Sequence, residues 1–326
     1  MKYEIFDVSQ YQKDQVEPLG TKSKYWCSGP DGHDYLFKSI ETYDSNHNLV
    51  SRGGEDWAEK IACEIAKFLS IPCADYSLAN NGSSRGVITK NFIGKNNAYL
   101  VTGNEVLRNY SSFAMQEELA KAERQDILGV YSILRRIIRY KPVGFNSLPG
   151  VKTAADFFMG YLMLDSLISN QDRHSENWGL IVTGKKRHLA PTFDHAASLG
   201  RNESDAEKER RLLSRDKGQQ VATYVLRAKS YFYLRGVRLR TLKAFQFFGV
   251  LTPAAALSWL EHLGKLTLEE MQAIINKVPT EVMSDVSKKF ALEMLVCNKS
   301  NMMALIPFFE ESLEPAFRKW QMKNYE

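Results

Sequence analysis

The chain of 326 residues carries 43 Lys and Arg against 38 Asp and Glu, a net charge of +5, and its 44% hydrophobic content supplies an ordinary soluble core for one large domain or two lobes. No stretch approaches the roughly 18 to 20 uninterrupted apolar residues of a membrane span, and Lys2, Glu4 and Asp7 interrupt the first segment where a leader would be apolar. The four cysteines, Cys27, Cys63, Cys73 and Cys297, are dispersed and form no C-x-x-C pair, which argues against a zinc knuckle or disulfide framework and fits free thiols in a reducing cytosol.

In chain order, residues 3–8, 24–28 and 35–39 have the aromatic and β-branched content of strands, and Gly29-Pro30-Asp31-Gly32 marks a turn between the last two. From 54 to 70 the apolar residues Trp57, Ile61, Ile65 and Phe68 recur at three- and four-residue steps, which predicts an amphipathic helix ended at Ile71-Pro72. Residues 75–79 and 86–92 read as two more strands around a turn at 80–84. Beyond about 97 the pattern becomes helical, with helices expected near 103–110, 116–140, 153–169, 240–263, 267–277 and 281–323. The helix at 153 opens on a capping-box-like Thr153-Ala154-Ala155-Asp156. The expectation is an α+β protein with a small mixed, β-rich lobe over 1–97 and a larger, mostly helical lobe over 98–326. Residues 208–243 hold eleven Lys or Arg against Glu209 and Asp216. The plain expectation there is a solvated basic helix face, and the sharper one is a surface for an acidic or nucleic-acid partner.

The densest chemistry lies in Asn170-Gln171-Asp172-Arg173-His174-Ser175-Glu176-Asn177, followed by a short strand at 178–182 and then Phe193-Asp194-His195. An apolar helix over 156–169 delivers the first group into a loop, and a reversal between Asp172 and Asn177 aims both into one cleft. Phosphoryl transfer needs little covalent chemistry from a protein: a carboxylate to orient and deprotonate the attacking hydroxyl, and oxygen ligands for magnesium. Asp172 suits the first task, while Asn177 and Asp194 suit the second as neutral and anionic ligands. His174 is expected to brace the loop and Asp165 to be a buried brace in the helix. The competing chemistry is a metal-dependent phosphoesterase using Asp172, His174, Asn177, Asp194 and His195, although six histidines in the whole chain are a thin supply for such a site.

The run from Asp165 to Gly179, then Leu189-Ala190-Pro191-Thr192-Phe193-Asp194-His195, resembles the catalytic core of the HipA-like serine/threonine kinases, and the resemblance extends from about residue 20 to the C-terminus. It implies a bilobal protein-kinase-like fold, ATP and magnesium as cofactors, and a protein substrate with a Ser or Thr acceptor. By the same resemblance Asp172 is the catalytic base and Asn177 and Asp194 hold magnesium, with His174 beside them in the nucleotide site. It also implies a strand lysine over the phosphates, Lys38 in Tyr35-Leu36-Phe37-Lys38, and an acidic helix partner, for which Glu59 is chosen over Glu55 and Glu64. Gly20, Thr21, Lys22, Ser23 and Lys24 would form the phosphate-covering turn, with one glycine where ordinary protein kinases have three. Residues 89–92, with Lys90 and Phe92, would be the adenine hinge by position. Members of the family silence themselves by autophosphorylation, for which Ser23 and Ser147 are the candidates. The chain begins almost directly at the nucleotide lobe and is expected to be a minimal member without the extra N-terminal subdomain of the HipA toxin; a small antitoxin-like partner is the one the family implies. A phosphoinositide headgroup is the alternative acceptor on the same fold, because Asp172-Arg173-His174 also resembles lipid kinases and a basic 208–243 segment would suit an anionic membrane. A cytoplasmic location is expected, in its own cell or after export into a host.

Overall fold

The computed structural model describes residues 1–16, 24–43, 46, 48–94, 97–110, 125–315 and, near the C-terminus, 317, 319 and 323. Its first part holds β1 (Ile5–Asp7), β2 (Gln12–Val16), β3 (Lys24–Ser28), β4 (Asp34–Ser39), β5 (Glu41–Tyr43), β6 (Leu49–Ser51), α1 (Glu55–Phe68), β7 (Tyr76–Asn80) and β8 (Arg85–Lys90). Six of these strands make one sheet in the order β1-β7-β8-β4-β3-β2, antiparallel except for the parallel β1–β7 pair, while β5 and β6 form a separate hairpin. The β3–β4 turn forms where expected, with Gly32 at φ +72, a conformation that favours glycine. Lys38 lies on β4 in the middle of the sheet, opposite Lys24 of β3 and Val87 of β8. Helix α1 packs across β7 and β8. It buries not only Trp57, Ile61 and Ile65 but also Glu59 and Lys60, because other elements cover its second face.

The second part runs through β9 (Tyr99–Thr102), α2 (Gly103–Tyr110), β10 (Gln125–Asp126), α3 (Ile127–Arg136), α4 (Ala154–Leu167), β11 (Gly179–Thr183) and β12 (Lys186–Leu189). It continues with α5 (Asp205–Leu213), α6 (Val221–Val225), β13 (Lys229–Leu234), β14 (Val237–Arg240), α7 (Thr241–Leu251), α8 (Pro253–Gly264), α9 (Leu268–Asn276), α10 (Asp285–Met303) and α11 (Ile306–Glu311). Helix α4 is its axis: every residue except Asp156 is buried, which is the pattern of a helix surrounded by others. The expected capping box starts it, Thr153 Oγ1 accepting from Asp156 N at 3.3 Å and the Asp156 carboxylate from Thr153 N at 2.8 Å. One apolar cluster then extends from α1 through α4 to α11 without a break. Among the described residues no helix is long and apolar enough to cross a membrane.

The structure departs from the sequence expectations at identifiable places. Strands β2, β5, β6, β9, β10, β13 and β14 are additional; each is at most six residues long, too short for a period to declare itself. Residues 208–243 do not make one solvated basic helix face, since they comprise most of α5, all of α6, the β13–β14 hairpin and the start of α7. Within them Lys208 is buried, its ammonium 5.7 Å from the centre of the Trp57 ring and donating to Ser287 Oγ at 2.7 Å. The helix expected over 240–263 divides at Thr252-Pro253, where proline cannot donate to the preceding turn. That over 281–323 breaks after Met303, and Pro307 lies in the first turn of α11. Of the helix expected over 116–140, residues 127–136 are helical and start at Asp126, whose side chain accepts from Leu128 N and Gly129 N at 3.0 Å; residues 116–124 lie outside the described residues. Cys63 and Cys73 meet, Cys73 Sγ donating to Cys63 O at 3.7 Å, yet both are free thiols as expected.

Candidate active site

Helix α4 ends at Leu167, capped by Ile168, and Ser169 turns into the left-handed region at φ +53, which throws residues 170–177 into a loop. Asp165 holds that loop from inside the helix. Its Oδ1 accepts from Asn170 Nδ2 at 2.8 Å and from Arg173 Nη2 at 2.7 Å, and its Oδ2 accepts from Arg173 Nε at 2.8 Å. With side chains only 5% and 1% exposed, this two-pronged pair is dry, so loss of either partner would strand a buried charge. The third guanidinium nitrogen, Nη1, donates to Asn177 O at 2.8 Å and to Phe193 O at 3.3 Å. Arg173 therefore fastens the loop of Asp172 and Asn177 to the residue just before Asp194. Asn177 Nδ2 donates to the Asp172 carbonyl at 2.7 Å, which orients the amide and presents its oxygen on the other side. The Asp172 carboxylate is half-exposed, 3.9 Å from His174 Nε2. His174 is pinned in the loop, its Nδ1 accepting from Glu176 N at 3.2 Å and its ring edge-on to Tyr231 at 5.6 Å.

Lys38 meets this loop pair from the sheet. Its ammonium lies 3.2 Å from Asp194 Oδ2 and donates to Tyr76 OH at 3.3 Å. Burial alone would lower its pKa, but the Asp194 carboxylate, followed by Glu59, more than offsets that and raises it, so the lysine is a fixed cation. Asp194 sits at φ +60, an uncommon backbone region that strain-bearing functional residues often occupy. Its backbone N–H points at Tyr76 OH, 3.4 Å away. His195 is fully buried: its backbone N donates to both Glu59 oxygens at 2.9 Å, its Nδ1 faces Glu59 Oε1 at 3.0 Å, and its Nε2 is 2.8 Å from Thr192 Oγ1. Glu59 is thus not in direct ion pairing with Lys38 but grips the residue next to Asp194. The same segment is laced to the end of α1 through Thr192 N to Pro72 O at 2.8 Å and Ala74 N to Thr192 O at 2.9 Å.

Asp172, Asn177, Asp194, Lys38 and, one residue removed, Glu59 therefore belong to one connected group. Other expected residues do not join it. Lys90 pairs with Asp31 at 3.8 Å, at the outer end of the β3–β4 hairpin, whereas Phe92 stacks on Phe193 with ring centres 5.7 Å apart. Lys24 lies on β3, and Gly20, Thr21, Lys22 and Ser23 lie outside the described residues. Ser147 is exposed in the turn before α4, where its hydroxyl accepts from Lys141 at 3.3 Å. Glu55 pairs with Arg201 at 2.8 Å and Glu64 with Lys60 at 2.8 Å. Sequence reasoning missed Arg173 and Tyr76 as parts of the site. Arg173 stood inside the motif, but its pairing with Asp165 depends on how helix and loop meet, and Tyr76 carried no sequence signal. Of the ligands the phosphoesterase reading needs, His195 is taken, both its ring nitrogens being engaged by Glu59 and Thr192. The carboxylate of Asp194 and the amide oxygen of Asn177 remain as hard oxygen donors of the kind magnesium takes.

No family model and no curated protein matches the chain. Among solved structures, the Helicobacter pylori proinflammatory kinase CtkA superposes with a TM-score of 0.73 at 18% identity, covering 95% of this chain and 98% of its own. HipA of Shewanella oneidensis MR-1, solved with HipB and operator DNA of its toxin–antitoxin system, superposes with a TM-score of 0.54 at 11% identity, covering 95% of this chain and 69% of its own. Identities this low speak for the fold and not for the chemistry grafted on it. The chain has the bilobal α+β, kinase-like fold of CtkA and HipA, as the resemblance of its 165–195 segment to HipA-like kinases implied.

Proposed function

We propose that the protein is an ATP- and magnesium-dependent kinase that transfers a phosphoryl group to a serine or threonine of a protein, residues 1–97 forming the nucleotide lobe and 98–326 the catalytic one. The observation that carries this reading is the double fastening of Asp194: Arg173 ties its segment to the loop of Asp172 and Asn177, and Asp194 meets Lys38 at 3.2 Å. In this assignment Asp172 orients the acceptor hydroxyl and takes its proton, and Lys38 neutralises phosphate charge. Asn177 and Asp194 would hold magnesium, which when bound screens the phosphate oxygens from the attacking hydroxyl. Arg173 and Glu59 position these groups.

The test is transfer of labelled phosphate from Mg-ATP to mixed bacterial protein, with phosphoinositide vesicles as a second acceptor. Wild type is expected to label protein, and Asp172→Ala to lose about a hundredfold or more of that rate while keeping its circular dichroism spectrum. Undiminished labelling by Asp172→Ala, or labelling of lipid alone, would overturn the assignment. Self-phosphorylation on Ser23 or Ser147 goes with the proposal, and mass spectrometry after incubation with Mg-ATP checks it; an active preparation with both serines unmodified removes it. A small antitoxin-like partner, as HipB is to HipA, is the further expectation, to be checked by co-purification with the product of the neighbouring reading frame.

A further inference from the structure

The segment after Asp194 folds back along the catalytic loop, with Gln171 N donating to Ala197 O at 3.2 Å and Leu199 N to Ile168 O at 2.8 Å. Against it lies a cavity of about 240 Å³ that reaches Gln171, the neighbour of Asp172. Ser198, Arg201, Arg211 and Arg227 contribute to its wall, with Glu203 as the acid among them. Three polar atoms of this wall are buried and have no hydrogen-bond partner: Ser198 Oγ, Arg201 Nε and Arg211 Nε. Native proteins leave few such groups, and three around one cavity ask for a common explanation.

The two guanidinium groups are held in place through their other atoms. Arg201 Nη2 lies 2.8 Å from Glu55 Oε1, Arg211 Nη2 lies 2.8 Å from Glu207 Oε1, and Arg211 stacks 4.7 Å over the Tyr224 ring. Glu203 and Tyr224 share the same wall. The arginines are therefore preorganised, each with its Nε donor unspent.

We propose that this cavity is a subsite for an anionic side chain of the protein substrate, a glutamate, aspartate or phosphoserine a few residues from the acceptor hydroxyl. The inference rests on the kinase reading and adds a substrate class to it. An anionic oxygen group there gives Ser198, Arg201 and Arg211 the acceptors they lack and offsets the charge of Arg227, whereas a basic side chain is repelled.

The experiment is transfer from Mg-ATP by the full chain to a peptide library with a fixed serine acceptor, each flanking position carrying glutamate, phosphoserine, alanine or arginine in turn. An acidic or phosphorylated residue at one position is expected to be preferred over alanine by about tenfold, the scale of one charge-assisted hydrogen bond. That preference is expected to collapse in Arg211→Gln and in the exposed Arg227→Gln, and O-phosphoserine is expected to broaden in a phosphorus NMR titration with wild type but not with Arg227→Gln. Transfer without any acid preference, or a preference that survives both substitutions, overturns the subsite and leaves the kinase reading standing. Failure of a folded, nucleotide-binding wild type to label any peptide overturns both.

Discussion

Arg173 does at the residue scale what no other side chain in the site does: it spends every guanidinium nitrogen, two on the Asp165 carboxylate and the third on the carbonyls of Asn177 and Phe193. Arg173→Met leaves Asp165 buried and unpaired, so a loss of about 3–5 kcal/mol in urea unfolding is expected, with loss of transfer activity. Arg173→Lys retains the charge but not the fork, and is expected to recover part of the stability and little of the rate. Lys38→Met is expected to weaken nucleotide binding, measured by titration calorimetry, because the cation that Asp194 and Glu59 hold protonated would be gone. Asp172, Asn177 and Asp194 were legible in the sequence because their chemistry shows in residue type and spacing. Arg173 was visible but its work was not, since two of its four bonds go to backbone carbonyls and two to a helix acid that only the folded loop brings within reach. Glu59 was expected to partner Lys38, yet its partner is His195, and nothing in the helix phase could have said so.

Among the elements, the β4–β8 contact sets where Lys38 stands. Gly86 of β8 lies so near that a Cβ there would be 2.1 Å from the Lys38 carbonyl oxygen, a backbone atom that cannot give way without moving the strand. Gly86→Ala is therefore expected to destabilise the protein and to weaken nucleotide binding together, whereas Thr153→Ala, which removes only the cap of α4, is expected to cost about 1 kcal/mol and leave nucleotide affinity intact. Paired thermal melts and calorimetric titrations separate the two. The same contrast explains which elements the sequence disclosed. Helices α2, α4 and α9 came out close to their expected bounds because each buries a face or a whole surface through regular spacing. Strand β9 did not, because its partner β11 is remote in sequence and its four residues carry no period of their own. The hairpin β13–β14 was hidden by its arginines, of which Arg238 covers the Tyr231 ring at 4.8 Å while donating to Ser230 O at 2.6 Å.

For the molecule as a whole, the proposed division into residues 1–97 and 98–326 runs through the main apolar cluster, while the sheet keeps two small clusters of its own. Trp57, Ile61 and Ile65 of α1 belong to the same apolar cluster as Met271 and Ile274 of α9, and α1 and α9 pack together. Polar links reinforce this back wall: Lys2 Nζ donates to Asn276 O at 2.7 Å, Tyr3 N to Lys277 O at 2.7 Å, and Arg85 Nη1 to Glu281 O at 2.6 Å. At the front, Glu59 and His195 join α1 to the Asp194 segment. A sheet strapped on both sides has little reason to unfold alone. The fragment 1–97 is therefore expected to give the narrow amide spectrum of an unfolded chain, since α1 would expose its second apolar face. The full chain is expected to unfold in one transition that coincides by circular dichroism and tryptophan fluorescence. Mg-ATP at a hundred times its dissociation constant should then shift the whole transition by about 2.7 kcal/mol, because ligand energy enters a single cooperative unit undivided. Two resolved transitions, with nucleotide moving only one of them, would show instead that the lobes are energetically independent and that the α1–α9 wall contributes little to holding Lys38 against Asp194.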